Sequence, residues 1–468
     1  MIALSLAEIA AVVGGQTHDI PDPSVQVTGP VVRDSREAGP GSLFVAFVGE
    51  RVDGHDFADG VVAAGAAAVL ASRPVGVPAI VVEDVQAALG ALARHVVRRL
   101  GTTLVALTGS AGKTSTKDLI AQVLQRKAPT VWTPGSFNNE IGLPLTALSA
   151  TEETKFLVLE MGARGIGHIR YLTDLTPPKI GLVLNVGTAH IGEFGGREQI
   201  AQAKGELVEA LPEDGAAILN ADDPLVRAMA SRTKAKVILF GESGEADVRA
   251  ENVRLTDSGQ PAFLLRTPSG ASEVTMRLYG EHHVSNALAA AAVAHELGMS
   301  AEEIATALSE AGSLSRWRME VTERPDGVTV VNDAYNANPE SMRAALRALA
   351  AMGKGRRTWA VLGKMAELGD EALAEHDAVG RLAVRLNVSK LVAVGGREAS
   401  WLQLGAYNEG SWGEESVHVS DAQAAIDLLR SELRPGDVVL VKASRSVGLE
   451  SVAQALVGTG AEGEVAAR

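Results

Sequence analysis

The sequence contains no cysteine. Disulfides, thiolate metal ligands and cysteine nucleophiles are therefore excluded, which fits a reducing compartment. Aromatic residues amount to only 4%, so cores must be built from small aliphatic side chains, which suit close packing of helices on sheets. No uninterrupted apolar run approaches the roughly 18 residues of a membrane span. Positive charge is scarce: 43 Lys and Arg stand against 57 Asp and Glu, a formal net charge of −14. A field of that sign opposes broad binding to nucleic acid or anionic membrane, leaving only local basic clefts. The opening MIALSLAEIAAVVGG has no basic residue before its apolar stretch, and Glu8 interrupts that stretch. It reads as a short amphipathic helix rather than a signal peptide, and the cytoplasm is the expected location.

What is present is globular: 46% hydrophobic and 21% charged residues over 468 positions, enough for about three domains. Short β-branched runs, glycine-containing turns and Ala-rich helical stretches alternate, which predicts α/β architecture with mainly parallel sheets. Up to about residue 100, weaker strands are expected at 42–48, 67–71 and 79–82, closed by a helix over 85–99. A second segment opens with the apolar strand 103–108 and continues with strands at 155–159, 179–186, 216–219 and 236–240 and a helix over 285–297. The polar Gly/Ser-containing stretch 312–318 predicts a linker. Beyond it, strands at 328–331, 358–362, 390–394 and 437–441 with intervening helices predict a separate doubly wound sheet. The division is thus 1–100, 101–314 and 315–468, with the terminal GTGAEGEVAAR frayed.

The most informative stretch is Thr108-Gly109-Ser110-Ala111-Gly112-Lys113-Thr114-Ser115. It follows a predicted strand and opens a predicted helix, the context a phosphate-binding loop requires. Its glycines let backbone N–H groups turn toward an anion, and the helix N-terminus adds a positive dipole end. Lys113 reaches β- and γ-phosphates, and the Thr114 hydroxyl suits Mg²⁺. Position 107 is Leu rather than the Gly of the longer GxxxxGK[ST] form, which weighs against an ordinary kinase or motor ATPase.

Glu160 ends the strand KFLVLE, and in an open parallel sheet that end faces the ligand crevice, where a carboxylate holds Mg²⁺ directly or through water. His190 follows GLVLNV after a short loop and is a candidate for a second metal or for substrate. Lys204, in IAQAKGEL, has no lone pair to offer a metal as an ammonium. Taken alone it reads as a solvated helix lysine; carbamylation by CO₂ would turn it into an anionic oxygen ligand.

TGSAGKTS, the strand-end Glu160, NVGTAH and AKGE together resemble the ATP-dependent Mur ligases, which build the peptide stem of bacterial cell-wall precursors. GEHHVSNALAA is similar to the family's GxHNxxN pattern, with His283 in place of the usual Asn, and KASRSVGLE to its KGSRxxxME, with Ala443 and Leu449 departing from it. The start Asp34-Ser35-Arg36, PGSLFVAF and DGHDF, with TPGSFNNEIGLP and NDAYNANPESM, resembles the family member that adds D-alanyl-D-alanine to UDP-N-acetylmuramoyl-tripeptide. The resemblance runs from about residue 30 to residue 455. It implies a small mixed α/β N-terminal domain for the UDP-sugar, a central P-loop ATPase domain and a C-terminal Rossmann-like domain. It implies ATP and Mg²⁺ as cofactors and a monomer. It also implies catalytic roles for Lys113, His190 and Lys204, the last being carbamylated in some Mur ligases. By the same resemblance, nucleotide contacts fall on Gly109 through Ser115, Asn286, Arg318 and Asp333, substrate contacts on Ser35, Arg36, Asn138 and Asn139, and metal contacts on Thr114, Glu160 and His190. Arg33, Arg36 or Arg51 could supply local positive charge to an anionic UDP-sugar; the sequence does not say which, and Arg51 reads as an ordinary surface arginine. The alternatives are another Mur ligase, a folylpolyglutamate synthase-like ligase, and a nucleotide-responsive binding protein with slow hydrolysis only.

Overall fold

The computed structural model describes residues 1–187 and 191–458. His190 and the terminal segment expected to fray beyond residue 458 therefore lie outside the described residues.

The chain is organised on three large sheets. The first has five strands in the order Gln16–His18, Ala79–Val81, Ala68–Ala71, Leu43–Val45 and Val31–Val32; all neighbours are parallel except the first pair. The opening segment forms the expected helix, Leu6–Val13, started by a capping box between Ser5 and Glu8 and stopped at the left-handed Gly14. The helix Val85–Leu100, capped by Asp84, then leads out of this region.

The central sheet has nine strands. From Thr130–Trp132 it runs through Phe156–Glu160, Thr103–Thr108, Ile180–Val183, Ala216–Asn220 and Lys236–Gly241 to Val248–Leu255, all parallel. Thr103–Thr108, the strand that enters the glycine loop, lies between strands reached by opposite crossovers. The crevice at its carboxyl end is the topological switch point where α/β sheets bind ligands. Pro261–Thr267 and Gly270–Thr275 extend the sheet by two antiparallel pairings beyond Val248–Leu255, and the sequence reading anticipates none of these three strands. Their alternation is broken by a register shift after Glu251 and by Asn252 at φ 56°, which hides the period of two.

The third sheet has six strands in the order Glu320–Glu323, Thr329–Asn332, Val438–Lys442, Thr358–Leu362, Lys390–Val394 and Ser416–Val419, parallel except at the first pair. Packing joins the three parts unequally. Leu89, Leu92 and Val96 of the helix Val85–Leu100 share one apolar core with Leu143, Leu148, Ile169 and Leu172 of the central part. A Cβ on Gly90 would stand 2.8 Å from Leu175, so this contact is tight. The third sheet keeps separate cores on its two faces. It meets the rest partly through polar contacts, such as Asn338 Nδ2 to the Ser110 carbonyl at 3.4 Å. Among the described residues, no helix is long and apolar enough to cross a membrane.

Candidate active site

The site begins at the loop after Thr103–Thr108. Gly112 adopts φ 80° and leads into the helix Lys113–Gln125, whose N-terminus has no side-chain cap. The first N–H groups of that helix therefore remain available to an anion. Asn185 braces the loop: its Oδ1 accepts from the N–H groups of Ser110 and Ala111, both at 2.9 Å, and its Nδ2 donates to the Ala111 carbonyl at 3.1 Å. Ser110 Oγ accepts from the Gly187 N–H at 2.9 Å. Below the turn, a Cβ on Gly112 would fall 2.6 Å from Asn286 Oδ1, so only glycine fits there. Asn286 is placed at that spot by the helix His283–Glu296, whose alanines let it pack deep in the central core.

Lys113 Nζ donates to the Gly109 carbonyl at 2.8 Å. Burial pushes its pKa down, opposed by the charge of Glu160 and reinforced by that of Arg318. Thr114 Oγ1 lies 3.0 Å from Ser136 Oγ, and Arg318 approaches both hydroxyls at 3.4 and 3.3 Å. The Arg318 guanidinium stacks over Tyr335 at 4.3 Å. Glu160 is 1% exposed; Oε1 accepts from Asn138 Nδ2 at 2.7 Å, while Oε2 is buried without a hydrogen-bond partner. A hard divalent cation fits this donor set, because an unpartnered buried carboxylate oxygen and a neighbouring hydroxyl are ligands of the kind Mg²⁺ takes. Among the described residues, no group of three or more His, Cys, Asp or Glu side chains forms a closed metal cage.

From the third sheet, Asp333 accepts the Met319 N–H at 3.1 Å through Oδ1 and pairs with Lys442 Nζ at 2.7 Å through Oδ2. Burial lowers the Lys442 pKa and the Asp333 charge opposes that shift. His282 faces the same region, its pKa lowered to about 4 chiefly by burial, against the pull of Asp333.

These groups line one cleft of about 1070 Å³. Of the residues named from sequence, Ser110 through Ser115, Asn138, Asn139, Glu160, Lys204, Asn286, Arg318 and Asp333 all line it. Gly109 contributes its carbonyl to Lys113. Ser35 and Arg36 lie off the cleft. Arg36 is held by Asp34 through contacts of 2.9 and 2.5 Å, which keep the Asp34 pKa at about 2. Arg33 is the arginine of that segment that enters the cleft, 5.5 Å from the Phe137 ring.

Lys204 corrects the sequence reading. It is 4% exposed rather than solvated, and burial followed by the nearby Lys113 charge sets its pKa well below the ordinary lysine value. The helix Arg197–Glu209 shows no clean apolar stripe, so its buried face was not visible as a pattern. The sequence reading does not single out Asn185, Ser136 or Lys442, which line the same cleft, although they sit inside NVGTAH, TPGSFNNEIGLP and KASRSVGLE.

The matches to known proteins follow this geometry. Residues 31–97 match the description "Mur ligase family, catalytic domain", 107–294 "Mur ligase middle domain" and 317–445 "Mur ligase, glutamate ligase domain". The chain belongs to the Mur ligase family. It is 52% identical to the UDP-N-acetylmuramoyl-tripeptide–D-alanyl-D-alanine ligase of Mycobacterium tuberculosis, over 98% of each chain. The crystal structure of MurF from Acinetobacter baumannii superposes with a TM-score of 0.86 at 33% identity, over 96% of this chain and 98% of that one. MurF of Thermotoga maritima, solved in complex with ADP, gives 0.78 at 31% identity, over 91% and 96%. Within the family, the chain falls in the MurF group.

Proposed function

We propose that this chain is an ATP-dependent ligase that joins D-alanyl-D-alanine to UDP-N-acetylmuramoyl-tripeptide, giving the pentapeptide precursor of peptidoglycan. The observation that carries this reading is the single cleft that holds the glycine loop, the half-satisfied Glu160 and Arg33 together. The 52% identity to a ligase of that name supports the choice of substrates. In this reading residues 1–100 hold the UDP-sugar, 101–314 hold ATP, and 315–468 bring Arg318 and Asp333 to the nucleotide. The enzyme works as a cytoplasmic monomer.

The stem peptide ends in a carboxylate, a poor acyl donor because it has no good leaving group. Transfer of the γ-phosphoryl group from ATP to that carboxylate makes an acyl phosphate. The amine of D-alanyl-D-alanine then attacks the acyl carbon, and the tetrahedral intermediate expels phosphate. Charge grows first on the transferring phosphoryl oxygens and then on the carbonyl oxygen. The N–H groups of the open helix N-terminus hold the phosphates, while Asn185 takes the Ser110 and Ala111 N–H groups and keeps the loop in shape. Lys113 offsets the developing negative charge from a buried position where the field is poorly screened. Thr114 and Glu160 would hold Mg²⁺, with His190 serving a second metal region; the ion supplies charge neutralisation and orientation of the phosphates. Asn286 would meet the nucleotide beside Gly112, and Arg318 would add a second fixed cation. Asn138, bound to Glu160, and Asn139 line the same cleft as Arg33 and would meet the acceptor peptide. A carbamylated Lys204 would place an anionic oxygen pair where the ammonium is now disfavoured by burial.

Mass spectrometry of the product from UDP-N-acetylmuramoyl-tripeptide, ATP, Mg²⁺ and D-alanyl-D-alanine tests the reading. Pentapeptide formation dependent on every component supports it. Equal or better use of glutamate or diaminopimelate would move the chain to another ligase of the family.

A further inference from the structure

The helix Lys113–Gln125 carries an ionic pair that the proposed chemistry does not use. Lys117 is 0% exposed and Asp118 is 5% exposed. Lys117 Nζ donates to the carbonyls of Thr133 at 2.6 Å and Gly135 at 2.9 Å, and lies 2.9 Å from Asp118 Oδ1. Two carbonyls thus accept from Lys117, and the Asp118 carboxylate supplies the counter-charge. A buried ammonium is costly even when satisfied, and an apolar side chain of similar size would hold a helix to a sheet equally well. The charge is therefore better explained by where it fixes its partners than by stability.

Those partners lead in two directions. The carbonyls belong to the turn whose following residues face the site: Ser136 reaches Thr114, and Asn138 holds Glu160. On the other side, Asp118 Oδ2 accepts the N–H of Ser315 at 3.1 Å. One helical turn further, Gln122 binds both the N–H and the carbonyl of Gly312, each at 3.0 Å. The stretch 312–318 is thus pinned to this helix rather than free. It ends at Trp317 with φ 59°, an unusual conformation for a bulky residue, and at Arg318, which returns to Thr114 and Ser136.

We propose that Lys117 and Asp118 act as a buried positioning pair that locks the turn shaping the cation side of the nucleotide site to the linker carrying the third sheet. Because one helical turn serves as the reference for both, a displacement of the linker reaches Ser136 and Asn138 through two adjacent side chains. Lys117 touches neither nucleotide nor substrate in this scheme; it is a positioning residue. The coupling is a property of the fold, and only its catalytic consequence rests on the ligase reading.

Hydrogen exchange of the full chain without nucleotide, read by peptide mass spectrometry, tests the coupling. Lys117→Met is expected to raise exchange about tenfold in both 133–139 and 312–318, segments far apart in sequence, while the rest of the central sheet keeps its protection. Unchanged exchange in both segments, or a rise confined to 133–139, overturns the proposal. If Lys117→Met does not fold, Asp118→Ala is read in the same way, and a rise confined to 312–318 overturns it. In the ligase assay, Lys117→Met is expected to raise the Mg²⁺ concentration for half-maximal rate about fivefold or more and leave KM for D-alanyl-D-alanine unchanged. A wild-type Mg²⁺ dependence in the folded variant counts against the pair. Failure of the unmodified chain to make pentapeptide would sink the ligase reading alone, since the exchange comparison needs no substrate.

Discussion

Asn138 holds one oxygen of Glu160 at 2.7 Å and leaves the other, Oε2, buried and unpaired. A carboxylate so placed costs the ligand-free chain stability that a bound cation returns. Glu160→Gln is expected to raise the urea midpoint of the ligand-free protein by the equivalent of about 1 kcal/mol. The same change is expected to lower turnover about 100-fold or more. Denaturation and product formation measured on one preparation check both. A destabilised variant with normal turnover contradicts the assignment.

Lys113→Ala is expected to leave the fold intact and cut turnover by roughly 100-fold or more, the scale of losing a major electrostatic contact to the reacting group. Lys113 is buried against its own loop, where it donates to the Gly109 carbonyl and faces the charge of Glu160; Arg318 remains beside the site when it is removed. Circular dichroism and single-turnover assays on the variant check this. Near-normal peptide-bond formation by a folded variant contradicts it.

How far these residues were legible depends on how local their signal is. The loop Gly109 to Ser115 is contiguous, and its Gly-Lys-Thr run between a predicted strand and a predicted helix is read without tertiary information. Glu160 follows from its place at a strand end, because parallel strands deliver their carboxyl ends to one crevice. Asn185 opens NVGTAH, yet its grip on Ser110 and Ala111 depends on the register of Ile180–Val183 against Thr103–Thr108. Arg33 and Arg36 look alike in sequence; the capture of Arg36 by Asp34 decides between them. The burial of Lys117 and Lys204 is set by what packs over their helices, and no periodicity in either helix declares it.

Lys204 supplies a pH test. Its folded pKa lies well below the unfolded lysine value of 10.5 because of burial. Between those two values the unfolded chain binds a proton that the folded chain rejects, so stability rises with pH across that window. Lys204→Met is expected to flatten that rise in urea denaturation between pH 7 and pH 9 in CO₂-free buffer. With bicarbonate, the unmodified protein is expected to gain one carboxyl group at Lys204 by native mass spectrometry. Equal pH slopes for variant and wild type contradict the burial argument. Full activity of Lys204→Ala contradicts its catalytic role.

His282 and His283 set the acid side. The His282 pKa falls to about 4, and His283, 3% exposed, is pushed well below 6.5, in both cases chiefly by burial. The unfolded chain binds these protons first, so stability is expected to fall as pH drops from about 6.5 toward 4. Urea midpoints at pH 7 and pH 5 check this. Replacing both residues by Gln is expected to shrink the difference; an undiminished difference would assign it to other groups.

In the proposed reaction ATP activates the terminal carboxylate of the stem peptide before the dipeptide amine arrives. Isotope tracing tests it most directly. With both oxygens of that carboxylate labelled as ¹⁸O, one ¹⁸O atom is expected in each inorganic phosphate released during pentapeptide synthesis. Phosphate free of the label, formed alongside pentapeptide, would contradict it.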